Sequence, residues 1–210
     1  MLLIYSGGMD STVLLHQYRD EIKTVVFFNY GSKHNHQEYG MVIENAGMLN
    51  IPVIKIDLEF IGIYFKSNLL KSGGGIPDGH YEDYSMKKTV VPFRNGIMLS
   101  IATGIAESNG LKRVAIANHS GDHAIYPDCR PGFIYAMDIA TVTGTYAGVS
   151  IFSPYLGIDK RKIALMGREE GVDFNKTWTC YKGLEYHCGK CGSCTERKEA
   201  LNGFDTTKYL

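Results

Sequence analysis

The sequence predicts an α/β protein whose parallel β-sheet is covered by helices on both faces. Short runs of β-branched and aromatic residues alternate with segments in which apolar residues recur at helical spacing. This alternation predicts parallel strands that are joined by helical crossovers. Because such crossovers are right-handed, the carboxyl ends of the strands meet at one edge of the sheet, where ligands bind in folds of this class.

The first half of the chain contains three predicted strands and two predicted helices. Residues 2–5 form a short apolar run that ends in a glycine turn, and the helix after it spans about 11–19. Residues 24–28 are predicted to be a buried strand because they are β-branched or aromatic. Apolar residues share one helical face in 36–49, and 52–57 is the third predicted strand.

The second half contains two predicted strands and two predicted helices. Residues 95–109 repeat apolar side chains at helical spacing, and Gly110 ends this helix. Residues 113–118 and 149–152 are the fourth and fifth predicted strands, which completes a doubly wound sheet of five strands. Asp159 is a cap residue at the start of a helix that runs to about residue 170.

Two regions depart from this alternation. The segment 66–88 is rich in Gly, Ser and Lys and shows little periodicity. Long loops of this kind are usually functional, so we expect a mobile excursion over the site. Residues 176–210 hold four cysteines and a short helical segment, and we expect them to form a small C-terminal knob beside a main domain at 1–175.

The composition excludes several classes of protein. The 210 residues include 22 basic and 22 acidic side chains, so the net charge is zero. A nucleic-acid binder would carry a basic excess, so no direct nucleic-acid partner is expected. No run approaches the ~18 apolar residues of a membrane span, and residues 1–5 lack the basic lead-in of a secretory signal. The cysteine spacing indicates a cytoplasmic protein with a metal or catalytic cluster and not a disulfide framework.

A glycine turn follows the first predicted strand and opens the first predicted helix, with the sequence Ser6-Gly7-Gly8-Met9-Asp10-Ser11-Thr12. Two glycines let the backbone approach a ligand, and the helix start presents free N–H groups to an anion. The loop is therefore typical of a phosphate or pyrophosphate site. It lacks the lysine of a Walker loop and the third glycine of the dinucleotide fingerprint.

Asp10 lies inside this expected anion site. A carboxylate there would repel phosphate unless Mg²⁺ bridges the two groups, so we assign Asp10 to metal binding or to positioning of the nucleophile. The alternative is an ordinary helix cap by Asp10 or Ser11.

Four of the five cysteines lie within 15 residues: Cys180, Cys188, Cys191 and Cys194. Two-residue gaps let neighbouring thiolates converge on one ion, and four thiolates match a closed, structural Zn²⁺ site. An iron–sulfur cluster is the alternative, because ferredoxins use similar gaps. Cys129 stands apart, either as a pocket residue or as a small buried apolar residue.

Three further loops carry polar residues to the same edge of the sheet. Lys33 and His34 follow the second strand and are candidates for phosphate contacts, with a solvated basic turn as the alternative. Arg94 lies at a helix start, where the dipole disfavours a cation, so an anionic ligand is expected there. The loop 119–130 collects histidines, carboxylates and an arginine, which is typical of a binding site.

The string Ser-Gly-Gly-x-Asp-Ser after a first strand resembles the pyrophosphate loop of the N-type ATP pyrophosphatases, which cleave ATP between its α and β phosphates. The whole chain resembles the 7-cyano-7-deazaguanine synthase family, from which it departs at Asn29, Phe93 and Gly132. The residues that carry this resemblance are 6–12, Tyr30, Gly31, Lys33, His34, Glu38, Val91, Pro92, Arg94, Asn95, 126–131, Phe133, Ser153, Pro154, Lys160, Thr179, Tyr181, the four clustered cysteines and Arg197.

The resemblance implies a Rossmann-like, adenine nucleotide alpha hydrolase-like fold that binds ATP with Mg²⁺ and carries structural Zn²⁺. It implies an ATP-dependent C–N ligase that converts 7-carboxy-7-deazaguanine and ammonia to 7-cyano-7-deazaguanine (preQ0). The steps are adenylation of the carboxylate, amide formation and dehydration to the nitrile. With 210 residues the chain has no room for a glutaminase domain, so free ammonium is the expected nitrogen source. A homodimer in the cytoplasm is expected.

The residue roles that follow from the resemblance fall into four groups. The expected catalytic residues are Asp10, Lys33, Arg94, Asp122 and Arg130. The expected nucleotide-binding residues are Tyr5, Ser6, Gly7, Gly8, Met9, Asp10, Ser11, Thr12, Val13, Leu14, Leu15 and His34. The expected substrate-binding residues are Asp122, Tyr126, Asp128, Cys129 and Arg130. The expected metal ligands are Cys180, Cys188, Cys191 and Cys194.

Two other functions remain open at this point. An adenylating, tRNA-modifying enzyme of the thiolation type would need a basic RNA-binding face, which the zero net charge disfavours. A non-enzymatic nucleotide-binding zinc protein is the other alternative. The presence of Asp10 and the dense polar loop at 119–130 argue against it.

Overall fold

A five-stranded parallel sheet forms the centre of the computed structural model, which describes residues 1–210. The strands are β1 (Leu2–Ile4), β2 (Thr24–Asn29), β3 (Val53–Asp57), β4 (Arg113–Ala115) and β5 (Ser150–Phe152). Their order across the sheet is β3-β2-β1-β4-β5, and every neighbouring pair is parallel. The winding direction reverses between β1 and β4, so a crevice for ligands is expected at the carboxyl ends of these strands.

Seven α-helices connect or follow the strands. They are α1 (Met9–Gln17), α2 (Asn35–Met48), α3 (Glu59–Tyr64), α4 (Arg94–Ser108), α5 (Pro131–Gly144), α6 (Lys160–Glu169) and α7 (Gly192–Ala200). None of them has the length and apolar character that a membrane-spanning helix requires. The sequence analysis missed α3 and α5. Helix α5 begins at a proline in its first turn, where proline is favoured, but its many β-branched residues are weak helix formers.

Successive residues of the strands face two different apolar layers. Leu3, Val25 and Ala115 face a layer that also contains residues of α1, α2, α6 and α7. Leu2, Val26 and Val114 face a second layer with α3, α4 and α5. This alternation by two is what a sheet buried on both faces requires. The predicted doubly wound α/β fold is therefore confirmed.

The segment 66–88 lies between the sheet edge and the C-terminal region. The ammonium group of Lys33 donates to the backbone oxygens of Asn68, Leu70 and Gly73. Further along the segment, Oδ1 of Asp78 accepts from the ammonium group of Lys182 at 2.6 Å. The backbone N–H of Gly79 donates to the backbone oxygen of Lys190 at 3.1 Å. These contacts attach residues 68–79 of the segment to the loop after β2 and to the C-terminal region, while the mobility of the segment stays a prediction.

Arg197 of α7 ties the C-terminal region together from inside. Its side chain is fully buried and donates to the hydroxyls of Thr177, Thr179 and Thr207 and to the backbone oxygen of Phe174. Residues at the end of α7 also join the apolar layer that covers one face of the sheet. Residues 176–210 are therefore packed on the main sheet as well as on themselves, and the proposed division at 175 stays a prediction.

A Gly7→Ala variant is expected to lose at least about 2 kcal/mol of unfolding free energy. Gly7 has a φ of +75°, and a Cβ atom there would lie 2.5 Å from the backbone oxygen of Glu38. Gly40→Ala within α2 is the matched control, because no atom lies within 4 Å of the added Cβ and the helix is expected to gain about 0.5–1 kcal/mol. Urea unfolding measures both, and a Gly7→Ala protein as stable as the wild type would contradict the argument.

Candidate active site

A cleft opens at the carboxyl ends of β1, β2 and β4, where the starts of α1, α2, α4 and α6 converge. It is closed on its far side by the segment 66–88 and by the C-terminal region. The lining residues are Ile4, Tyr5, Ser6, Gly8, Met9, Asp10, Ser11, Phe27, Phe28, Tyr30, His34, Glu38, Tyr81, Arg94, Asn95, Met98, Ile116, Ala117, Asn118, Asp122, Tyr126, Cys129, Lys160, Trp178, Thr179, Tyr181 and Ser193. The cleft therefore lies at the position that the switch in strand order predicts.

The glycine turn after β1 leaves the start of α1 open to this cleft. Gly8 is the N-cap and no side chain caps the helix, so its first backbone N–H groups remain available to an anion. The hydroxyls of Ser6 and Ser11 lie 3.0 Å apart, and Thr12 donates to the backbone oxygen of Gly8 at 2.8 Å. The loop is thus preorganised by its own hydroxyl groups for a phosphate or pyrophosphate group.

Charged side chains cluster on one wall of the cleft. The ammonium nitrogen of Lys160 lies 3.2 Å from Oδ2 of Asp10 and 2.9 Å from Oε2 of Glu196. His119 accepts the N–H of Gly121 through Nδ1, so a neutral imidazole carries its proton on Nε2. That Nε2 atom lies 3.8 Å from carboxylate oxygens of Asp10 and Asp122 and 4.0 Å from Glu196.

Burial and mutual attraction decide the protonation of this cluster. Burial would lower the pKa of Lys160, but Asp10 and Glu196 outweigh it and raise that pKa, so the ammonium stays charged. Burial raises the pKa of Glu196, with Lys160 and His119 partly offsetting the effect. For Asp122, burial is the largest influence, yet His119 and Lys160 together bring its pKa below the ordinary value.

A chain of hydroxyl groups crosses the cleft beside this cluster. Tyr81 donates to Oδ1 of Asp122 at 2.9 Å, and its hydroxyl lies 3.5 Å from that of Tyr181. The hydroxyl of Tyr181 lies 3.3 Å from that of Tyr126, which lies 3.1 Å from the hydroxyl of Thr89. Burial raises the pKa of Tyr81 and Tyr126, so both remain protonated and offer fixed donors and acceptors.

Arg94 lies on another wall and has no carboxylate within salt-bridge distance. Its Nη1 atom donates to the hydroxyl of Tyr30 at 3.0 Å, and its guanidinium lies 5.2 Å from the centre of that ring. Burial opposes the charged form, but Tyr30 and then Asp128 outweigh it and raise the pKa of Arg94. The remaining donors of a permanently charged guanidinium are therefore available to an anion in the cleft.

Most of the residues that the sequence analysis assigned to binding do line the cleft. They are Tyr5, Ser6, Gly8, Met9, Asp10, Ser11, His34, Arg94, Asp122, Tyr126 and Cys129. Cys129 is buried, and burial raises the pKa of its thiol, which makes it an inert wall residue at neutral pH. The structure thus brings these residues from four connecting segments into one cavity.

Three residues to which we assigned catalytic or substrate contacts lie away from the cleft. Lys33 is occupied by the backbone oxygens of the segment 66–88, as described above. Arg130 donates from Nε to the backbone oxygen of His123 at 2.8 Å. Asp128 accepts the backbone N–H of Asn95 at 2.8 Å and so stabilises the start of α4. Their expected roles stay predictions.

Only part of the expected nucleotide-binding stretch lines the cleft. Val13, Leu14 and Leu15 are fully buried in the apolar layer of α1 and cannot reach a ligand. Gly7 and Thr12 belong to the turn but do not line the cleft. The hydroxyl of Thr12 lies 3.0 Å from that of Tyr5 and so stabilises the turn. The residues of this stretch that line the cleft are Tyr5, Ser6 and residues 8–11, and their contacts with a nucleotide stay a prediction.

The four clustered cysteines form a compact, buried group of sulfur atoms. All four ligand atoms lie within 4.8 Å of one another, and none is in a disulfide. The sulfurs of Cys188 and Cys194 are 3.9 Å apart, close to the edge of about 3.8 Å that four 2.3 Å metal–sulfur bonds would give. Backbone N–H groups point at the sulfurs of Cys180 and Cys188. The donor set therefore fits a tetrahedral metal ion.

Comparison with known proteins places the chain in a family. The family model for queuosine biosynthesis protein QueC matches residues 1–205. The chain belongs to this family. Named QueC-family relatives include the 7-cyano-7-deazaguanine synthase of Porphyromonas gingivalis, which is 53% identical over 211 residues that cover 99% of this chain and 96% of the relative.

Two further relatives carry the same name. The 7-cyano-7-deazaguanine synthase of Desulfotalea psychrophila is 52% identical over 214 residues, which cover 100% of this chain and 98% of the relative. The 7-cyano-7-deazaguanine synthase of Rhizobium johnstonii is 43% identical over 206 residues, which cover 96% of this chain and 86% of the relative. The family assignment therefore rests on the whole length of the chain and not on the glycine turn alone.

Solved structures agree on the fold of this QueC-family chain. The U34-tRNA thiolase NcsA from Methanococcus maripaludis matches 95% of the chain and 62% of its own length, with a TM-score of 0.50 and 15% identity. The NMN synthetase from Francisella tularensis matches 88% of the chain and 67% of its own length, with a TM-score of 0.50 and 13% identity. At such identities the likeness establishes the fold alone.

Three residues of the charged cluster at the cleft, namely Lys160, His119 and Glu196, were not assigned a role from the sequence. Lys160 was named only among the residues that carry the family resemblance, and His119 only as a histidine of the loop 119–130. Glu196 gave no signal of its own, because it lies in α7 two positions after a cysteine ligand and reaches Lys160 across 36 residues of chain. A useful signal was the placement of Lys160 at the start of α6, where the helix dipole disfavours a cation unless carboxylates or an anion face it.

An Asp122→Asn variant is expected to be less stable than the wild type at pH 7 and to approach it in stability below about pH 4. Because the folded state lowers the pKa of Asp122, the unfolded chain binds its proton first as pH falls. The charged carboxylate therefore stabilises the fold above its ordinary pKa of about 3.9 and ceases to do so below the lowered value. Urea unfolding at pH 7 and pH 3 measures this, and a difference that does not change with pH would contradict it.

Proposed function

We propose that this QueC-family protein uses ATP to convert 7-carboxy-7-deazaguanine and ammonium to 7-cyano-7-deazaguanine. The observation that carries the proposal is the match of the whole chain to curated 7-cyano-7-deazaguanine synthases. The cleft supports it independently, because an uncapped helix start, a hydroxyl-lined turn and two permanent cations line one cavity. Such a cavity suits a polyphosphate and a carboxylate held side by side.

The proposed reaction consists of two activations of the same oxygen-bearing carbon. A carboxylate oxygen attacks the α-phosphorus of ATP, pyrophosphate leaves, and a mixed anhydride with AMP forms. Ammonia attacks the carbonyl carbon and loses a proton, and AMP leaves to give the amide. The amide oxygen then attacks a second ATP and pyrophosphate leaves. The adduct finally loses AMP and both nitrogen-bound protons to give the nitrile. Each nitrile therefore consumes two ATP and yields two AMP and two pyrophosphates.

Holding the phosphates is assigned to the turn after β1 and to Lys160. The open N–H groups at the start of α1 and the hydroxyls of Ser6 and Ser11 face the cleft. These donors would stabilise the pyrophosphate as its negative charge grows in the transition state. Fixed donors need no reorganisation at the moment of reaction, so positioning supplies most of the rate enhancement expected here.

The carboxylate of the substrate is assigned to Arg94 in place of Arg130. Arg94 lines the cleft and has donors to spare, whereas Arg130 is held by a backbone oxygen elsewhere. Arginine pairs well with a carboxylate because its guanidinium offers two parallel N–H groups. Asp122, with a pKa below the ordinary value, is an acceptor suited to the N–H edge of a guanine-like ring.

Two metal ions are part of the proposal. The four cysteines would hold Zn²⁺, which would stabilise the fold of the C-terminal region and leave no position for a substrate. Asp10 would hold Mg²⁺, because its Oδ1 atom is buried without a hydrogen-bond partner and Mg²⁺ prefers carboxylate oxygens. When bound, Mg²⁺ would neutralise phosphate charge next to Asp10. Elemental analysis that returned iron in place of zinc would remove the first assignment.

The test is to incubate the protein with ATP, MgCl₂, ammonium and 7-carboxy-7-deazaguanine and to detect the nitrile by mass spectrometry. The expected result is one nitrile for every two AMP, with the nitrogen derived from isotopically heavy ammonium. A protein that binds ATP but releases no AMP with this acid would contradict the proposal. A cytoplasmic homodimer is proposed on the family resemblance, and light scattering measures the oligomeric state.

A further inference from the structure

We propose that Glu196 is a positioning residue that fixes Lys160 in the phosphate site, so that the cysteine-bearing region completes the cleft. The proposal rests on the function proposed above. Glu196 lies on α7, whose N-cap is Cys191 and which contains Cys194. Lys160 is the first residue of α6 in the main domain. The contact between them therefore joins the two parts of the chain directly at the candidate active site.

The geometry explains why two carboxylates face one ammonium group. An ammonium group has three N–H donors. In Lys160 one donates to Glu196 at 2.9 Å, and the charged group also forms an ion pair with Oδ2 of Asp10, 3.2 Å away. Because the side chain lines the cleft, a donor remains for a ligand oxygen. The hydrogen bond to Glu196 and the attraction of Asp10 hold the nitrogen between two carboxylates, which is the preorganisation that a phosphate contact requires.

Lys160 and Glu196 are both largely buried, so water cannot easily replace Glu196 as the partner of the ammonium group. The side chain of Glu196 is 13% exposed and that of Lys160 is 11% exposed, so neither partner is exchanged for water without cost. Without Glu196, the ammonium group would be held by Asp10 alone and drawn towards the turn after β1. The carboxylate thus keeps Lys160 available to the leaving pyrophosphate while Asp10 retains an oxygen for a cation.

A neighbouring carboxylate on the same helix provides a matched control. Glu199 lies on α7 as well, but its side chain is 56% exposed and its partner His80 is 51% exposed. Glu199 does not line the cleft. A Glu199→Gln variant removes the same charge from the same helix and is expected to leave turnover and pyrophosphate affinity unchanged.

The experiment compares Glu196→Gln, Glu196→Asp, Lys160→Met and the double variant Glu196→Gln/Lys160→Met. Metal content and the melting temperature are measured first, followed by kcat for AMP release, the KM for ATP and the affinity for inorganic pyrophosphate. For Glu196→Gln we expect kcat and pyrophosphate affinity to fall between about 10- and 100-fold, while the KM for ATP changes less than about 3-fold. Glu196→Asp, which retains the charge, is expected to recover part of the loss.

The double variant distinguishes a positioning role from a structural one. If Glu196 acts through Lys160, adding Glu196→Gln to Lys160→Met is expected to change kcat and pyrophosphate affinity less than about 2-fold. The same loss in both backgrounds, or a Glu196→Gln protein that loses its metal or its fold, would overturn the proposal. Pyrophosphate binding can be measured without the acid substrate. If the Glu196 and Lys160 variants affect pyrophosphate affinity as expected but no nitrile forms, only the proposed reaction is overturned.

Discussion

An Asp10→Asn variant is expected to lose at least about 1000-fold in kcat for ATP-dependent AMP release and to keep its fold. Asn retains the shape of the side chain but removes the negative charge. Oδ2 of Asp10 holds Lys160 at 3.2 Å, and Oδ1 is buried without a hydrogen-bond partner. The substitution therefore removes the charge that attracts Lys160 and Mg²⁺, and it leaves one side-chain oxygen where we assign a role to two.

Stability and activity are expected to separate in this variant. The melting temperature is expected to shift by less than about 4 °C, since a 1 kcal/mol change moves a chain of this size by about 2–4 °C. Asp20→Asn is the matched control, because Asp20 is exposed and lies outside the cleft. AMP release is measured at saturating ATP over a range of MgCl₂ concentrations. A kcat within about 3-fold of the wild type would remove Asp10 from the site.

The sheet was predictable from the sequence because its strands are buried on both faces. Strands of this kind read as continuous apolar runs, such as 24–28, and the turns between them are rich in glycine and polar residues. Helix α5 was not predictable in the same way. Its apolar residues include β-branched and aromatic types that suit a strand as well as a helix, and Tyr135 and Ile139 on its exposed side blur the periodicity.

The cleft was predictable only where its residues belong to one local pattern. The turn after β1 and the cysteine cluster can be recognised from the sequence alone, because the residues that form each of them are close together in the chain. Glu196 and Tyr81 reach the cleft from distant segments, and only the packed chain brings them together. Lys33 shows why a local pattern is ambiguous, because a cation next to a predicted phosphate loop can equally hold a neighbouring segment, and its phosphate contact stays a prediction.

A Cys194→Ser variant is expected to lose its bound metal, to melt more than about 10 °C lower and to lose ATP turnover as well. Three sulfurs leave a tetrahedral ion with an open position, and binding free energy of a structural metal is folding free energy. Cys194 lies on α7, which also carries Arg197, the fully buried residue that joins four chain positions. Loss of order in α7 would therefore release the C-terminal region.

Turnover is expected to fall with the metal because the same region reaches the phosphate site. The backbone N–H of Trp178 donates to the oxygen of Gly7 at 2.9 Å, and Glu196 holds Lys160. Elemental analysis, thermal melting and AMP release are measured on one preparation. Cys129→Ser is the control for metal content, since Cys129 lies outside the sulfur cluster and its loss is expected to leave the full complement of metal. A Cys194→Ser protein with one tightly bound metal ion and an unchanged melting temperature would contradict the structural role that we assign to the four cysteines.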